Sequence, residues 1–244
     1  MAAYGNMDKG LPGELVGLTP THQIDSRLAK GAVPFGGLCF GTGDGAQVTA
    51  KGDGALLGIA ARTALDTPEY VDGEAVNVCR TGKIFGTAGE AISADAEVSV
   101  NASTGKIVAK TSTAAGAKRT VTITLANASA ASKVVTVVVG DKVAQVNTTD
   151  AVKAAADVAA ALKTELEKLD IPFVATVASA VDTLTAKDKG AAANDIAVTG
   201  STTDSTQTVT VANGTSGSDV VLNPGWFARS TAEAANDLVI VDLG

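Results

Sequence analysis

Between Thr21 and Val108 the chain consists of short apolar runs separated by glycine turns, which restricts this stretch to a fold of many short strands. Gly36-Gly-Leu-Cys-Phe40 leads into the turn Gly41-Thr-Gly-Asp-Gly45, and Gln47-Val-Thr-Ala50 leads into Lys51-Gly-Asp-Gly54. Ala55-Leu-Leu-Gly-Ile-Ala-Ala61 reads as a buried strand, while Glu74-Ala-Val-Asn-Val-Cys79 and Ala96-Glu-Val-Ser-Val-Asn101 alternate with period two. The last of these turns at Asn101-Ala-Ser-Thr-Gly105 into Lys106-Ile-Val-Ala-Lys110, a hairpin pattern. Turn signals about every 8–12 residues predict a mainly β region, an antiparallel sandwich or a barrel. The chain is 45% hydrophobic but only 3% aromatic, so its core has to be built from Ala, Val, Leu and Ile.

At Thr111-Ser-Thr-Ala-Ala-Gly-Ala117 the composition shifts to small residues, and a different pattern follows. Thr120-Val-Thr-Ile-Thr-Leu125 and Val134-Val-Thr-Val-Val-Val139 read as strands. Gly140-Asp141 then makes a two-residue turn into Lys142-Val-Ala-Gln-Val146, with glycine at the position where a type II′ turn needs positive φ. Val152, Ala155, Ala159, Leu162, Leu166 and Leu169 recur at spacings of three and four, which predicts one helix packed on a sheet. Thr148-Thr-Asp150 offers N-cap oxygens, and Ile171-Pro172 stops the helix. Strand signals return at Phe173–Val177, Thr183–Ala186, Asp195–Thr199 and Gln207–Val211. The expected organisation is an N-terminal arm (1–20), a β domain (21–112 with 222–244) and an inserted α+β module (113–221). The arm is expected to be disordered unless something holds it. The terminal run Leu238-Val-Ile-Val-Asp-Leu243 is expected to join the first domain's sheet.

The residues give little support to catalysis. His22 is the sole histidine, Asp25 follows three residues on, and no Gly-x-Ser-x-Gly elbow presents a nucleophile. Cys39 and Cys79 lie far from each other and from His22, without the close ligand pairs of a zinc site. Buried free thiols are favoured over a disulfide, which is not excluded. Gly43-Asp-Gly-Ala46 recurs as Gly52-Asp-Gly-Ala55, but two copies without the fuller calcium-roll pattern read as strand-connecting turns. Gly41-x-Gly43-x-x-Ala46 fits a dinucleotide fingerprint only superficially, because a strand follows it rather than a helix. The carboxylates Asp66, Glu69, Asp72, Glu74, Glu90, Asp95 and Glu97 read as solvated edges and turns rather than as a glycosidase pair. No metal, cofactor or catalytic residue is expected. A net charge of −7 opposes direct contact with nucleic acid. Without a secretory h-region or a membrane-length apolar run, synthesis in a cytoplasm is expected, with no membrane contact.

Several pieces, in this order, resemble the cement (decoration) proteins of tailed-phage capsids. They are Ile24-Asp-Ser-Arg27, Val33-Pro-Phe-Gly36, Leu57-Gly-Ile-Ala60, Tyr70-Val-Asp-Gly73 with Val76-Asn-Val78, Gly82-Lys-Ile-Phe85, and Ile92-Ser-Ala-Asp-Ala-Glu-Val98 with Gly105. Pro224-Gly-Trp-Phe-Ala228 and Leu238-Val-Ile-Val241 close the series, so the resemblance covers about 22–110 and 222–244. It implies a β-rich, non-enzymatic protein on the outside of the virion. Such a protein binds the major capsid protein, bridges neighbouring subunits and associates with itself as a dimer or trimer at symmetry axes. The segment 113–221 departs from the short form of the family. With Lys187-Asp-Lys-Gly-Ala-Ala-Ala-Asn-Asp-Ile196 it resembles a small module of phage tail-sheath proteins, which implies a projecting knob.

Leu15, Leu18, Ile24, Arg27, Phe35, Trp226 and Phe227 are the candidate capsid or self-association contacts, since aromatic and Arg side chains are enriched at interface hot spots. Core packing is the competing reading for Phe35 and Trp226, and a local pair with Asp25 is the competing reading for Arg27. An adhesive head fibre, with 113–221 touching a host-surface ligand, is the alternative function.

Overall fold

The computed structural model describes residues 10–17, 22–52, 54–63 and 67–244; Leu18, Asp53, Asp66 and most of the N-terminal arm lie outside them. The protein is mainly β and divides into two compact units, residues 1–115 with 220–244 and residues 116–219.

Unit 1 begins with β1 (Gln23–Ala29), β2 (Val33–Pro34), β3 (Leu38–Gly41), β4 (Gln47–Thr49) and β5 (Leu56–Ala60). It continues through β6 (Glu69–Tyr70), β7 (Ala75–Thr81), β8 (Lys83–Thr87), β9 (Val98–Asn101) and β10 (Lys106–Ala109). A short strand, β11 (Ala114–Ala117), lies at the boundary. Strands β1, β4, β3, β5 and β7 close into a barrel. Closure depends on β1, which runs antiparallel to β7 and meets β4 in parallel through Leu28↔Gln47 and Ala29↔Val48.

All five barrel strands contribute to one apolar cluster: Ala29, Val48, Cys39, Ala60, Val76 and Val78, joined by Val33, Phe35 and Tyr70. The alternate residues Leu38, Phe40, Ile59 and Cys79 enter a second cluster with Ile84, Val98, Val100, Ile107, Trp226 and Val239. Strands β3, β5 and β7 are therefore buried on both faces, which is why Leu38-Cys-Phe40 reads as a continuous apolar run rather than as an alternation. Tyr70 donates its buried hydroxyl to Ala61 O at 2.6 Å, and its ring meets Phe35 edge-on at 4.9 Å. Cys39 and Cys79 are free and buried in different clusters. Burial pushes their thiols up to about 12 and about 11, so neither supplies a thiolate near neutral pH.

Unit 2 holds β12 (Thr120–Ala126), β13 (Val134–Val139), β14 (Lys142–Asn147), helix α1 (Ala155–Glu167), β15 (Phe173–Ala178), β16 (Val181–Ala186), β17 (Val198–Thr202) and β18 (Thr208–Asn213). They form a four-stranded sheet, β15-β16-β12-β18, and a three-stranded sheet, β14-β13-β17. Val158, Ala159, Leu162 and Leu166 of α1 pack with Val121, Ile123, Val137, Val146 and Leu184. Gly140 takes φ +61° at the β13–β14 turn, as the hairpin requires. Thr120 N donates to Thr215 O and Gly214 N to Thr120 O, both at 2.9 Å, so the two ends of unit 2 lie side by side.

Two local expectations are corrected. The N-cap of α1 is Ala154, without a side-chain cap. Thr149 Oγ1 instead accepts from Val152 N at 3.1 Å, and the buried Thr148 hydroxyl donates to Ala130 O at 2.6 Å, so both oxygens serve the preceding loop. Val152 and Leu169 still pack on the core from just outside the helix. Likewise Ala191–Asp195 is a 3₁₀ turn and the following strand starts at Val198 rather than Asp195. Arg119 Nη1 donates to Ala193 O and Ile196 O, and Asn194 exchanges hydrogen bonds with Gly217, so long-range polar contacts decide this turn.

The last strands return to unit 1: β19 (Ser218–Leu222), β20 (Phe227–Ala228) and β21 (Leu238–Asp242). Strand β21 lies between β20 and β8, and β19 joins β9 through Val221↔Asn101 and Leu222↔Val100.

A buried aspartate fastens the loops of unit 2. Asp204 accepts from Ser129 Oγ (2.9 Å), Ala130 N (2.6 Å), Thr206 N and Thr206 Oγ1 (both 2.7 Å). The backbone N–H groups of Ala130 and Thr206 lead in holding its carboxyl far below the usual range. Its contribution is therefore complete above the ordinary aspartate value and declines only as the pH falls below it toward the folded value. Asp204→Ala is expected to lower the melting temperature of unit 2 by roughly 8 °C at neutral pH, read by calorimetry. An unchanged transition would contradict this role.

Candidate docking surface

The described part of the arm is held by main-chain bonds. Gly13 N donates to Phe85 O, Phe85 N to Glu14 O and Val16 N to Lys83 O, at 2.8–2.9 Å. Leu15 thereby bridges to Ile84 and packs half-buried on the unit 1 core. The edge of β8 would otherwise leave these groups unpaired. His22 lies nearby, its Nε2 at 3.1 Å from Lys83 O, in a setting that ties β1 to β8.

Ile24 and Arg27 lie within strand β1. Ile24 and Leu28 are exposed on one side of the strand. Asp25 and Arg27 alternate to the other side, where Asp25 accepts from Arg80 at 2.9 Å and stands 3.7 Å from Arg27. Phe35 is 2% exposed and Trp226 6%, so the structure places both rings inside the core of unit 1.

Phe227 is different. Pro224-Gly225 turns the chain, with φ +80° at Gly225, into β20; Trp226, just before the strand, is buried, and Phe227, its first residue, is 40% exposed. Among the described residues the other Phe, Tyr and Trp side chains are buried or half-buried. The Arg229 guanidinium lies over the Phe227 ring at 5.6 Å from its centroid. Asp242 Oδ2 accepts from Arg229 Nε and Nη2 at 3.1 and 3.0 Å, and Asp95 Oδ1 accepts from Nη1 at 3.4 Å. The hydrogen bond to Asp242 leads in raising the pKa of Arg229. Burial pulls Asp242 upward, but the Arg229 hydrogen bond, the Gly244 N–H and the charges of Arg229 and Lys83 outweigh it and leave the carboxyl below its usual value. Glu97, bridged to Phe227 through the backbone, pairs with Lys110. The ring thus stands among charges that already have partners.

Arg229 and Asp242 were not singled out in the sequence, and Asp95 read only as a solvated edge or turn carboxylate. Arg229 lies two residues beyond Phe227, on the same side of an extended chain, which is a readable signal. The two aspartates are brought in by the fold and leave no local signal.

A family model described as "Structural cement protein (E217 gp24/Pam3 gp6)" matches residues 2–149. The chain belongs to this family of phage structural cement proteins. In this cement protein the matched stretch takes in β1 to β14 and so continues past unit 1 into the first strands of unit 2. Helix α1 and the Phe227–Arg229 platform lie beyond it. No curated protein matches the chain.

Proposed function

We propose that this cement protein binds the outer surface of a phage head, bridges neighbouring major capsid protein subunits and stabilises the DNA-filled shell without catalysing a reaction. Membership of the structural cement family carries the reading. The structure supplies means consistent with it: a small barrel with a packed apolar interior, and exposed apolar side chains at Ile24, Leu28 and Phe227. A net charge of −7 favours adhesion to protein over contact with the packaged nucleic acid. Each contact can be weak, because many copies on one particle act together. In this reading unit 2 is an inserted, projecting module, and the protein associates with itself at the symmetry axes of the shell.

Purified chain added to expanded, undecorated heads tests the reading. Stoichiometric decoration with a rise in the temperature at which heads release DNA is expected. Failure to bind, or binding without any gain in heat tolerance, would refute it.

A further inference from the structure

Unit 2 contains a second buried aspartate, and its setting is the opposite of that of Asp204. Asp182 lies in β16, where the alternation points it inward with Leu184 and Ala186. In register it stands beside Ile123 of β12 and Val177 of β15, and Val211 of β18 continues the row. It is wholly buried, and neither carboxyl oxygen has a hydrogen-bond partner. The neighbouring strands β12, β15 and β18 contain no titratable side chain. On α1, which packs against β16, the charge acting on Asp182 is that of Lys163, whose Nζ is hydrogen-bonded to Glu167 Oε1 at 2.6 Å. The remaining charges of α1, Asp157 and Glu165, are not among the helix's buried residues.

We propose that Asp182 is a proton-responsive element of unit 2. With the carboxyl neutral, α1 seats on the sheet; with it ionised, the carboxylate draws the Lys163 ammonium inward from Glu167 and the helix–sheet seam loosens. Burial in an apolar row disfavours the charged form, whereas the protonated form leaves a neutral group in a neutral setting. Burial raises the carboxyl from its ordinary 3.8 to about 7, and the charge of Lys163 restrains the rise. A raised value means that the folded unit holds a proton the unfolded chain releases. The stabilisation is complete below the ordinary value, declines as the pH rises and is lost once it passes about 7. The tight state therefore belongs to acid conditions and the loose state to neutral and alkaline ones. Asp204 shows that the same unit can satisfy an aspartate fully, so the isolation of Asp182 is a local property of the β16 row.

Hydrogen–deuterium exchange of the full chain between about pH 5 and pH 8, corrected for intrinsic exchange rates, tests this. Peptides covering Ala155–Glu167 and Val181–Ala186 are expected to lose at least about tenfold in protection across that range. Peptides covering β7 and β8 should hold steady. Asp182→Asn is expected to flatten the response, and Asp182→Leu serves the same purpose should the amide prevent folding. Lys163→Met, which removes the compensating ammonium, is expected to steepen it. A flat response in the unmodified protein, or an unaltered slope after Asp182→Leu or Asp182→Asn, would overturn the proposal.

Discussion

Gly36→Val is expected to unfold unit 1, with a loss of roughly 4 kcal/mol or more. Gly36 has φ +71°, and a Cβ there would lie 2.7 Å from Gly13 N, 2.8 Å from Phe85 O and 3.1 Å from Pro12 Cα. All three are main-chain atoms, so no rotamer change relieves the overlap. Gly13 has the same constraint: its φ is +74° and its own Cβ would fall 2.6 Å from Ala60 O. Here the arm, the end of β5 and β8 are joined through Gly36 N to Ala60 O, Arg62 N to Gly13 O and Gly13 N to Phe85 O. Displacing one strand of that junction breaks several main-chain bonds at once. Trp226, the one tryptophan, is buried in unit 1 and reports the outcome by fluorescence during denaturant unfolding. Gly225→Ala is the control. Its φ of +80° is strained for alanine but nothing lies within 4 Å, so only about 1 kcal/mol should be lost. Equal effects of the two substitutions would show that backbone crowding at Gly36 is unimportant.

Phe227→Ala is expected to weaken binding to undecorated heads by roughly 30-fold or more, about 2 kcal/mol, while leaving the unfolding of unit 1 nearly unchanged. The ring is 40% exposed, so its removal leaves no cavity of the kind a buried aromatic would. The loss should come from the interface: the guanidinium over the ring is already oriented by Asp242 and Asp95, so little ordering remains to be done on docking. Arg229→Lys should reproduce part of the effect, since an ammonium cannot keep the planar fork against Asp242 and the contact with the ring together. Head binding measured by sedimentation at two salt concentrations separates the roles. Loss of the ring should weaken binding equally at both, because its contribution is apolar. Undiminished binding of Phe227→Ala would remove the platform from the interface.

Local chemistry made much of this architecture readable. The hairpin loops at Gly140 and Gly105 follow from residues that tolerate positive φ, +61° and +72°, between alternating strands. The helix follows from apolar residues three and four apart, although its ends do not, since Thr148 and Thr149 serve the loop before it. Barrel closure was not readable, because the parallel meeting of Leu28 and Ala29 with β4 is a contact between segments that carry no mutual signal. Among the candidate contacts, ring chemistry alone could not separate Phe35 and Trp226 from Phe227. Only the alternation Trp226 in, Phe227 out, fixed by the pairing of β20 with β21, distinguishes the latter two. Asp182 does carry a local signal, a charge at an inward position of the run Val181–Ala186, but it lies just before the strand expected from Thr183.

The adjacent termini of unit 2, joined through Thr120 and Thr215, have a practical corollary. A loop that leaves and rejoins its parent at one spot can be swapped for unrelated cargo without altering the path of the surrounding polypeptide. On the proposed reading of unit 2 as an inserted module, this junction is a graft point for foreign segments.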